Sequence, residues 1–461
     1  MNLLIKNGKL ISAEKTEYKD ILIESNKIKS VKDKFTPSEL PSNLEIIDAS
    51  GRYVMPGLID AHTHYQLVSR GTVAADRFYE GSVLAAYGGV TTVIDFADHL
   101  PGKEIAEGAV QRNADANGEM AIDWAQHQVI TRVDGDVYKE LEDLKKLGVT
   151  AVKIFTTYKS AGYFIEKKAV KKVFEACKKL GILVTIHAED DDIIEKNSRQ
   201  VENKPYPPEL LPVIRSAEAE YKAIRDYGEI AGSLDMPVYI VHLSSSRGLD
   251  AVRELKAAGV NIVVETTPHY LTITNDFLKK EGAQKYLMTP PLREVSDNEA
   301  LWGGVVSGDI SIIATDHCTF TLEQKFQSND CRTIFPGVPG TEEMLRIINT
   351  NGVEKGLFDI TKLVSLLSTE PAKTFGLFPG KGSLEPGTDA DILIFDPKAE
   401  SVLNNDTCHT AAGYTAYDGM KVKGKAETVI LGGEIILQDG KFLGKRGAGK
   451  FLPAGVPGAY K

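Results

Sequence analysis

Two imidazoles stand two residues apart where an apolar run ends, in Val54-Met55-Pro56-Gly57-Leu58-Ile59-Asp60-Ala61-His62-Thr63-His64. An extended chain repeats its side-chain direction every second residue, so His62 and His64 share one face. Neutral imidazole is a common nitrogen ligand for zinc-like ions, and two at one strand end can grip an ion from one side. Such a pair also occurs as satisfied core histidines, so its meaning depends on what else the chain supplies. It supplies four more pieces of the same form, each closing an apolar run on a polar turn. They are Lys153 in Val149-Thr150-Ala151-Val152-Lys153-Ile154-Phe155, His187 in Leu183-Val184-Thr185-Ile186-His187, His242 in Val238-Tyr239-Ile240-Val241-His242 and Asp316 in Ile312-Ile313-Ala314-Thr315-Asp316. Together the five pieces would assemble one metal site.

Lys153 is the unusual member, because an ammonium in so apolar a run would suffer a large desolvation cost. It needs a carboxylate partner or a modification. In the second case burial lowers its pKa, the neutral amine adds carbon dioxide, and the carbamate presents two oxygens that can bridge two cations. His187 and His242 then add one imidazole each, and Asp316 the last carboxylate.

The elements that must position these groups follow from periodicity. Up to about residue 54 the chain reads as short strands at 2–11, 20–24, 27–32 and 44–48, with Asn7-Gly8 and Ser25-Asn26 as turns. Apolar runs then alternate with amphipathic segments, the rhythm of a parallel sheet. Eight runs stand at 58–64, 91–96, 122–130, 151–156, 183–187, 238–243, 261–265 and 310–315. Eight parallel strands imply a TIM barrel, with the ligand candidates at the carboxyl ends of strands one, four, five, six and eight, the face where such barrels carry their sites. Helical periodicity over 136–146, 167–179 and 247–258 ends in Gly148, Gly181 and Gly259, which fit carboxyl-terminal caps. Strand patterning returns after about Leu384, at 390–396 and 428–437. The expected organisation is a barrel over 55–384 and one small β-sandwich built from residues 1–54 and 385–461. The charged run Glu189-Asp190-Asp191-Asp192 reads as a solvated helix start.

With 461 residues, 42% of them hydrophobic, the chain has ample core for a large domain and a smaller one. A formal net charge of −10 argues against nucleic acid or an anionic membrane as partner and leaves small molecules. Cys177, Cys318, Cys331 and Cys408 are scattered without a disulfide framework, which suits a reducing cytoplasm. Cys318 reads as a buried free thiol. The opening Met1-Asn2-Leu3-Leu4-Ile5 is too short an apolar stretch for a signal peptide, and no window reaches the length of a membrane span.

Over nearly its whole length the chain resembles the amidohydrolase superfamily, and within it the dihydropyrimidinase and hydantoinase family of cyclic amidases. The resemblance rests on Gly57-Leu58-Ile59-Asp60-Ala61-His62-Thr63-His64, Val152-Lys153-Ile154-Phe155, Val241-His242-Leu243-Ser244 and Ala314-Thr315-Asp316-His317-Cys318. Pro290-Pro291-Leu292-Arg293 and Gly337-Val338-Pro339-Gly340 favour this family over its cousins. The resemblance implies two divalent ions, with zinc foremost. His62 and His64 would bind one with Asp316, and His187 and His242 the other, with N6-carboxylated Lys153 as bridge. Asp316 would also move the proton of catalysis, and Tyr158, five residues past Lys153, would stabilise the oxyanion. A homotetramer is implied as well, with 451–457 as a subunit-clasping tail.

Two departures bear on the substrate. Thr289 and Pro336 stand where a serine and an asparagine would hold the ring amide through backbone groups, and proline has no N–H. Arg70 stands in the loop after strand one, where a small or apolar residue would be usual. His127 and His317 are expected as donors behind the ligands, and His269 as structural. The expected activity is hydrolysis of the ring amide of hydantoins or dihydropyrimidines. Allantoinase or dihydroorotase activity is the alternative. A non-catalytic scaffold is disfavoured because every ligand position is occupied.

Overall fold

The computed structural model describes residues 2–201 and 206–460. Its centre is a sheet of eight parallel strands in chain order: Leu58–Thr63, Val90–Ala97, Asp123–Val129, Ala151–Phe155, Leu183–His187, Val238–Ile240, Ile262–Thr266 and Ile312–Ile313. A parallel bridge between Thr63 and His317 joins the last strand to the first and closes the barrel. All eight expected runs therefore become barrel strands, in the expected order. Ile59, Ala61, Ile94, Ala125, Ala151, Leu183, Tyr239, Ile312 and Ala314 form the packed interior, and the small alanines leave room above it for larger polar side chains.

The first strand carries a bulge that simple alternation does not foresee. Val93 faces Asp60 and Asp95 faces Thr63, so strand one spends one residue more than its neighbour. An extra residue of this kind turns two successive side chains the same way. Ala61 therefore joins the interior packing while His62, immediately after it, also turns into the barrel.

Helices Val137–Lys146, Lys167–Leu180 and Ser246–Ala257 stand where their periodicity predicts, each burying one apolar stripe. Asp136 and Ser245 cap the first and third through the amides of Lys139 and Gly248. Gly181 ends the second at φ 66, in the left-handed region that glycine enters without a Cβ clash. No helix among the described residues is long and apolar enough to cross a membrane.

The two ends of the chain meet in a sandwich. One sheet orders Lys27–Lys32, Asp20–Glu24, Asn2–Lys6 and Glu45–Asp48. The other contains Lys9–Ile11, Tyr53–Pro56, Ile392–Val402, Lys421–Leu431 and Glu434–Gln438, with Tyr53–Pro56 antiparallel to Ile392–Val402. Leu3, Ile5, Ile21, Ile23, Ile392 and Ile394 are buried between them. Two expected strands are each divided. The 2–11 run breaks at Asn7-Gly8 and passes from one sheet to the other, and the 428–437 run folds back at Gly432-Gly433 as a hairpin.

The carboxyl-terminal segment, expected as a subunit-clasping tail, also makes contacts within the chain. It packs under its own barrel: Trp124 N–H donates to Lys450 O, Leu452 N–H to Trp124 O, and Leu452, Ala454 and Ala459 join the interior cluster. Val456 in the same segment stays 46% exposed, so these contacts leave apolar surface on the tail.

Lys381 ties barrel to sandwich. It is 4% exposed, with Nζ 2.6 Å from both Asp123 and Asp391 and 3.3 Å from Asp389. Removing one partner of a buried charge cluster leaves the others uncompensated. Lys381→Ala is expected to lower the unfolding free energy by about 3–5 kcal/mol, read by denaturant titration. A loss below about 1 kcal/mol, the range of an exposed pair, would show that water already relieves these carboxylates.

Candidate metal centre and active site

At the carboxyl ends of the strands a cavity of about 400 Å³ opens, lined by His62, His64, Lys153, His187, His242 and Asp316. This volume suits a small ring with a substituent. His62 Nε2 lies 3.1 Å and His64 Nε2 3.2 Å from Asp316 Oδ1, three donor atoms drawn to one point. The ring of His242 stands 5.4 Å from that of His62 and 4.6 Å from that of His187. Burial pushes His187 down to about 4 and His242 well below the usual imidazole range, so both offer lone pairs at neutral pH.

Buried carboxylates decide which nitrogen each imidazole presents. His62 Nδ1–H donates to Glu265 Oε1 at 2.8 Å, leaving Nε2 to face Asp316. Glu265 also accepts from the His242 backbone N–H at 2.9 Å and from the Tyr239 hydroxyl at 2.6 Å. His187 Nε2–H donates to Glu189 Oε2 at 2.7 Å, leaving Nδ1. Glu189 is fully buried and paired with Arg215, whose backbone carbonyl accepts from Arg293 Nη1 at 2.6 Å. Burial alone would raise the Glu189 carboxyl, but the Arg215 guanidinium holds it down to about 2.

These contacts correct the reading of Glu189-Asp190-Asp191-Asp192 as a solvated run. A helix does start there, Asp191–Gln200 capped by Asp190, but Glu189 orients a candidate ligand and buried Asp191 accepts from the Thr157 hydroxyl. Glu265, Glu189 and Arg215 were not picked out by the sequence reading. Glu265 was findable, because it closes strand seven as Asp316 follows strand eight.

Lys153 is 1% exposed, its Nζ 4.9 Å from the Phe96 ring and 5.3 Å from that of Phe155. It makes no ion pair among the described residues, so the carboxylate partner that the sequence left open is not supplied. Burial holds its amine down to about 7. Against the pull of burial, Glu265 and Asp316 raise His62 to about 9, so a cation bound there would take the place of its proton, while His64, His187 and His242 offer free lone pairs. With an ionised Asp316 and an amine held at about 7 they form a donor set suited to divalent cations and to carbamate formation.

Tyr158, Thr289, Pro336 and Arg70 also border the cavity. The hydroxyls of Tyr158 and Thr289 share a short hydrogen bond, and the Arg215 guanidinium lies 4.7 Å from the Tyr158 ring. Burial raises the Tyr158 pKa, so its hydroxyl stays a donor. Tyr158, His242 and Asp316 have φ of 65°, 38° and 50°, a region that residues with side chains rarely enter. Their clustering at one cavity marks the place where the fold tolerates strain. Pro336 precedes Gly337, whose N–H donates to Leu287 O at 2.9 Å and whose added Cβ would lie 2.3 Å from Cys318 O. Arg70 turns away from the centre: its Nη1 donates to Thr333 O at 2.9 Å and Ile334 O at 3.3 Å. Cys318, expected as a buried thiol, is buried but also borders the cavity.

Among the described residues, His127 and His317 make no hydrogen bond to a ligand side chain. His127 Nε2–H donates to Ala61 O at 3.1 Å, next to His62, while His317 links Asp76 to the amides of Gly340 and Thr341. They brace the backbone around the ligands. His269 is buried with neither ring nitrogen bonded among the described residues.

Residues 53–436 match the sequence profile described as the amidohydrolase family. The chain belongs to the amidohydrolase family. It is 36% identical over 458 residues to a D-hydantoinase of Ralstonia pickettii, covering 98% of both chains. It is 35% identical to a D-hydantoinase of Geobacillus stearothermophilus, covering 100% of this chain and 98% of that one. The crystal structure of dihydropyrimidinase from Brevibacillus agri superposes with a TM-score of 0.96 at 31% identity, covering 99% of each chain. Amidohydrolases are generally dependent on two metals, and the His62–His64–Asp316 convergence gives this member a group able to hold one of them.

Carboxylates that orient metal-binding imidazoles typically matter ten- to a hundredfold. Glu265→Gln would set an amide N–H against donors and is expected to weaken divalent-metal affinity by about 10–100-fold, read by chelator competition. Unchanged affinity would mean that His62 is oriented by packing alone.

Proposed function

We propose that the chain is a binuclear-metal cyclic amidohydrolase that opens the ring amide of hydantoins or dihydropyrimidines to give N-carbamoyl amino acids. The observation that carries this reading is the meeting of His62, His64, Lys153, His187, His242 and Asp316 on one cavity with Tyr158 on its wall. The names of the relatives support the ring class.

His62 and His64 would hold one ion with Asp316, His187 and His242 the other, and N6-carboxylated Lys153 would serve both, with zinc as the proposed ion. When bound, such ions polarise a carbonyl and lower the pKa of water toward neutral. Asp316 accepts the proton of the attacking water and returns it to the departing ring nitrogen, which would otherwise leave as a poor amide anion. The Tyr158 hydroxyl donates to the oxygen on which charge develops. Thr289 holds that hydroxyl in place and offers backbone groups to the ring. Pro336 offers no donor there, so rings depending on an N–H at that point bind less well. We take the enzyme to be a cytoplasmic homotetramer acting on a small molecule.

The decisive assay is a panel of hydantoin, dihydrouracil, allantoin and dihydroorotate with enzyme of measured metal content. Hydantoin or dihydrouracil is expected to have the highest kcat/KM, and a clear lead for allantoin or dihydroorotate would reassign the substrate. Tyr158→Phe should lower kcat by about 10²–10³, the loss of one oxyanion donor, with Tm unchanged. Asp316→Asn should abolish turnover. Near-normal kcat in Tyr158→Phe would remove that residue from the chemistry.

A further inference from the structure

The cavity contains two polar side chains that the ring-opening chemistry leaves unused, Asp98 and Tyr163. Asp98 follows the end of strand two, Val90–Ala97. Tyr163 follows the turn Lys159–Ala161 beyond strand four, and its ring packs edge-on against Phe155 at 5.1 Å. Both side chains line the one cavity, close enough for each to shift the acidity of the other.

No cation among the described residues pairs directly with this carboxyl. Asp98 makes no ion pair among the described residues. Arg112, the guanidinium on its side of the barrel, is held by Asp95 and the Tyr65 carbonyl. Arg70, across the cavity mouth, is committed to the carbonyls of Thr333 and Ile334. Burial raises the Asp98 carboxyl above its usual range, against the more distant pull of the Arg112 guanidinium.

We propose that Asp98 and Tyr163 form the subsite for the substituent on the ring, and that this subsite selects arms that carry a positive charge or donate hydrogen bonds, such as aminoalkyl or guanidino groups. This rests on the cyclic-amidase reading and narrows its substrate class. An ammonium there would donate a charge-assisted hydrogen bond to the Asp98 carboxylate while lying beside the Tyr163 ring. A carboxylate arm would meet Asp98 and be repelled, and Arg70 is already occupied. An alkyl arm would strip water from the Asp98–Tyr163 pair without replacing it.

The test compares hydantoins bearing 5-aminobutyl, 5-pentyl and 5-carboxybutyl arms, measured as kcat/KM with metal-loaded wild type, Asp98→Asn and Tyr163→Phe. The ratio between arms within one protein is the readout, so a partly folded variant still reports. Wild type is expected to favour the amine over the alkyl arm by about tenfold or more, the range for a hydrogen bond to a charged group. Asp98→Asn should bring that ratio close to one and improve the carboxylate arm relative to the amine. Tyr163→Phe should keep most of the preference, because the carboxylate remains. A ratio that is the same in wild type and Asp98→Asn, or a wild-type preference for the alkyl or carboxylate arm, overturns the subsite while leaving the cyclic-amidase reading standing. Failure of wild type to open any of the three rings overturns both.

Discussion

Burying Lys153 among imidazoles without an anionic partner is the constraint on which the site depends. Its amine lies between two phenylalanine rings at the level of the four histidines, where an ammonium would be poorly solvated and would compete with any cation for the same space. The barrel interior accommodates the side chain because the layer below it is alanine-rich, with Ala61, Ala125, Ala151 and Ala314. The anions nearby are spent elsewhere. Glu265 and Glu189 take imidazole N–H groups, and Asp316 faces His62 and His64. Conversion of Lys153 to an anion resolves the conflict from within the side chain.

The same economy explains how strand ends become a site. The bulge at Ala61-His62 turns His62 inward, and left-handed backbones at His242 and Asp316 do comparable work at the ends of strands six and eight. The supports are layered behind: Arg293 holds the Arg215 carbonyl, Arg215 holds Glu189, and Glu189 fixes the His187 ring. A motif such as Pro290-Pro291-Leu292-Arg293 therefore reaches the candidate ligand His187 through its arginine, by way of Arg215 and Glu189.

Most of this was legible in sequence, for identifiable reasons. Parallel strands buried on both faces are written as continuous apolar runs, so all eight barrel strands could be located and their ends named. Polar residues that close such runs stand out, which is why the six candidate ligands were found and meet at one cavity, whereas Tyr158 was implied by the family resemblance. What periodicity does not encode is pairing. The bulge exists only relative to the neighbouring strand, and the hairpin at Gly432-Gly433 is hidden inside one apolar stretch. The burial of Glu189 depends on Arg215, distant in sequence and itself unremarkable there. Arg70 illustrates the converse: its position in the loop was legible, but its partners, two backbone carbonyls in another loop, were not.

On the proposed function, Lys153 would be carried as a carbamate anion beside two cations. The direct measurement is ¹³C NMR of metal-loaded protein equilibrated with ¹³C-bicarbonate, with metal content determined on the same sample. A carbamate carbon that is lost in Lys153→Arg is expected, together with a metal content near two ions per chain, as in other two-metal sites. A full complement of metal with no carbamate signal would contradict it.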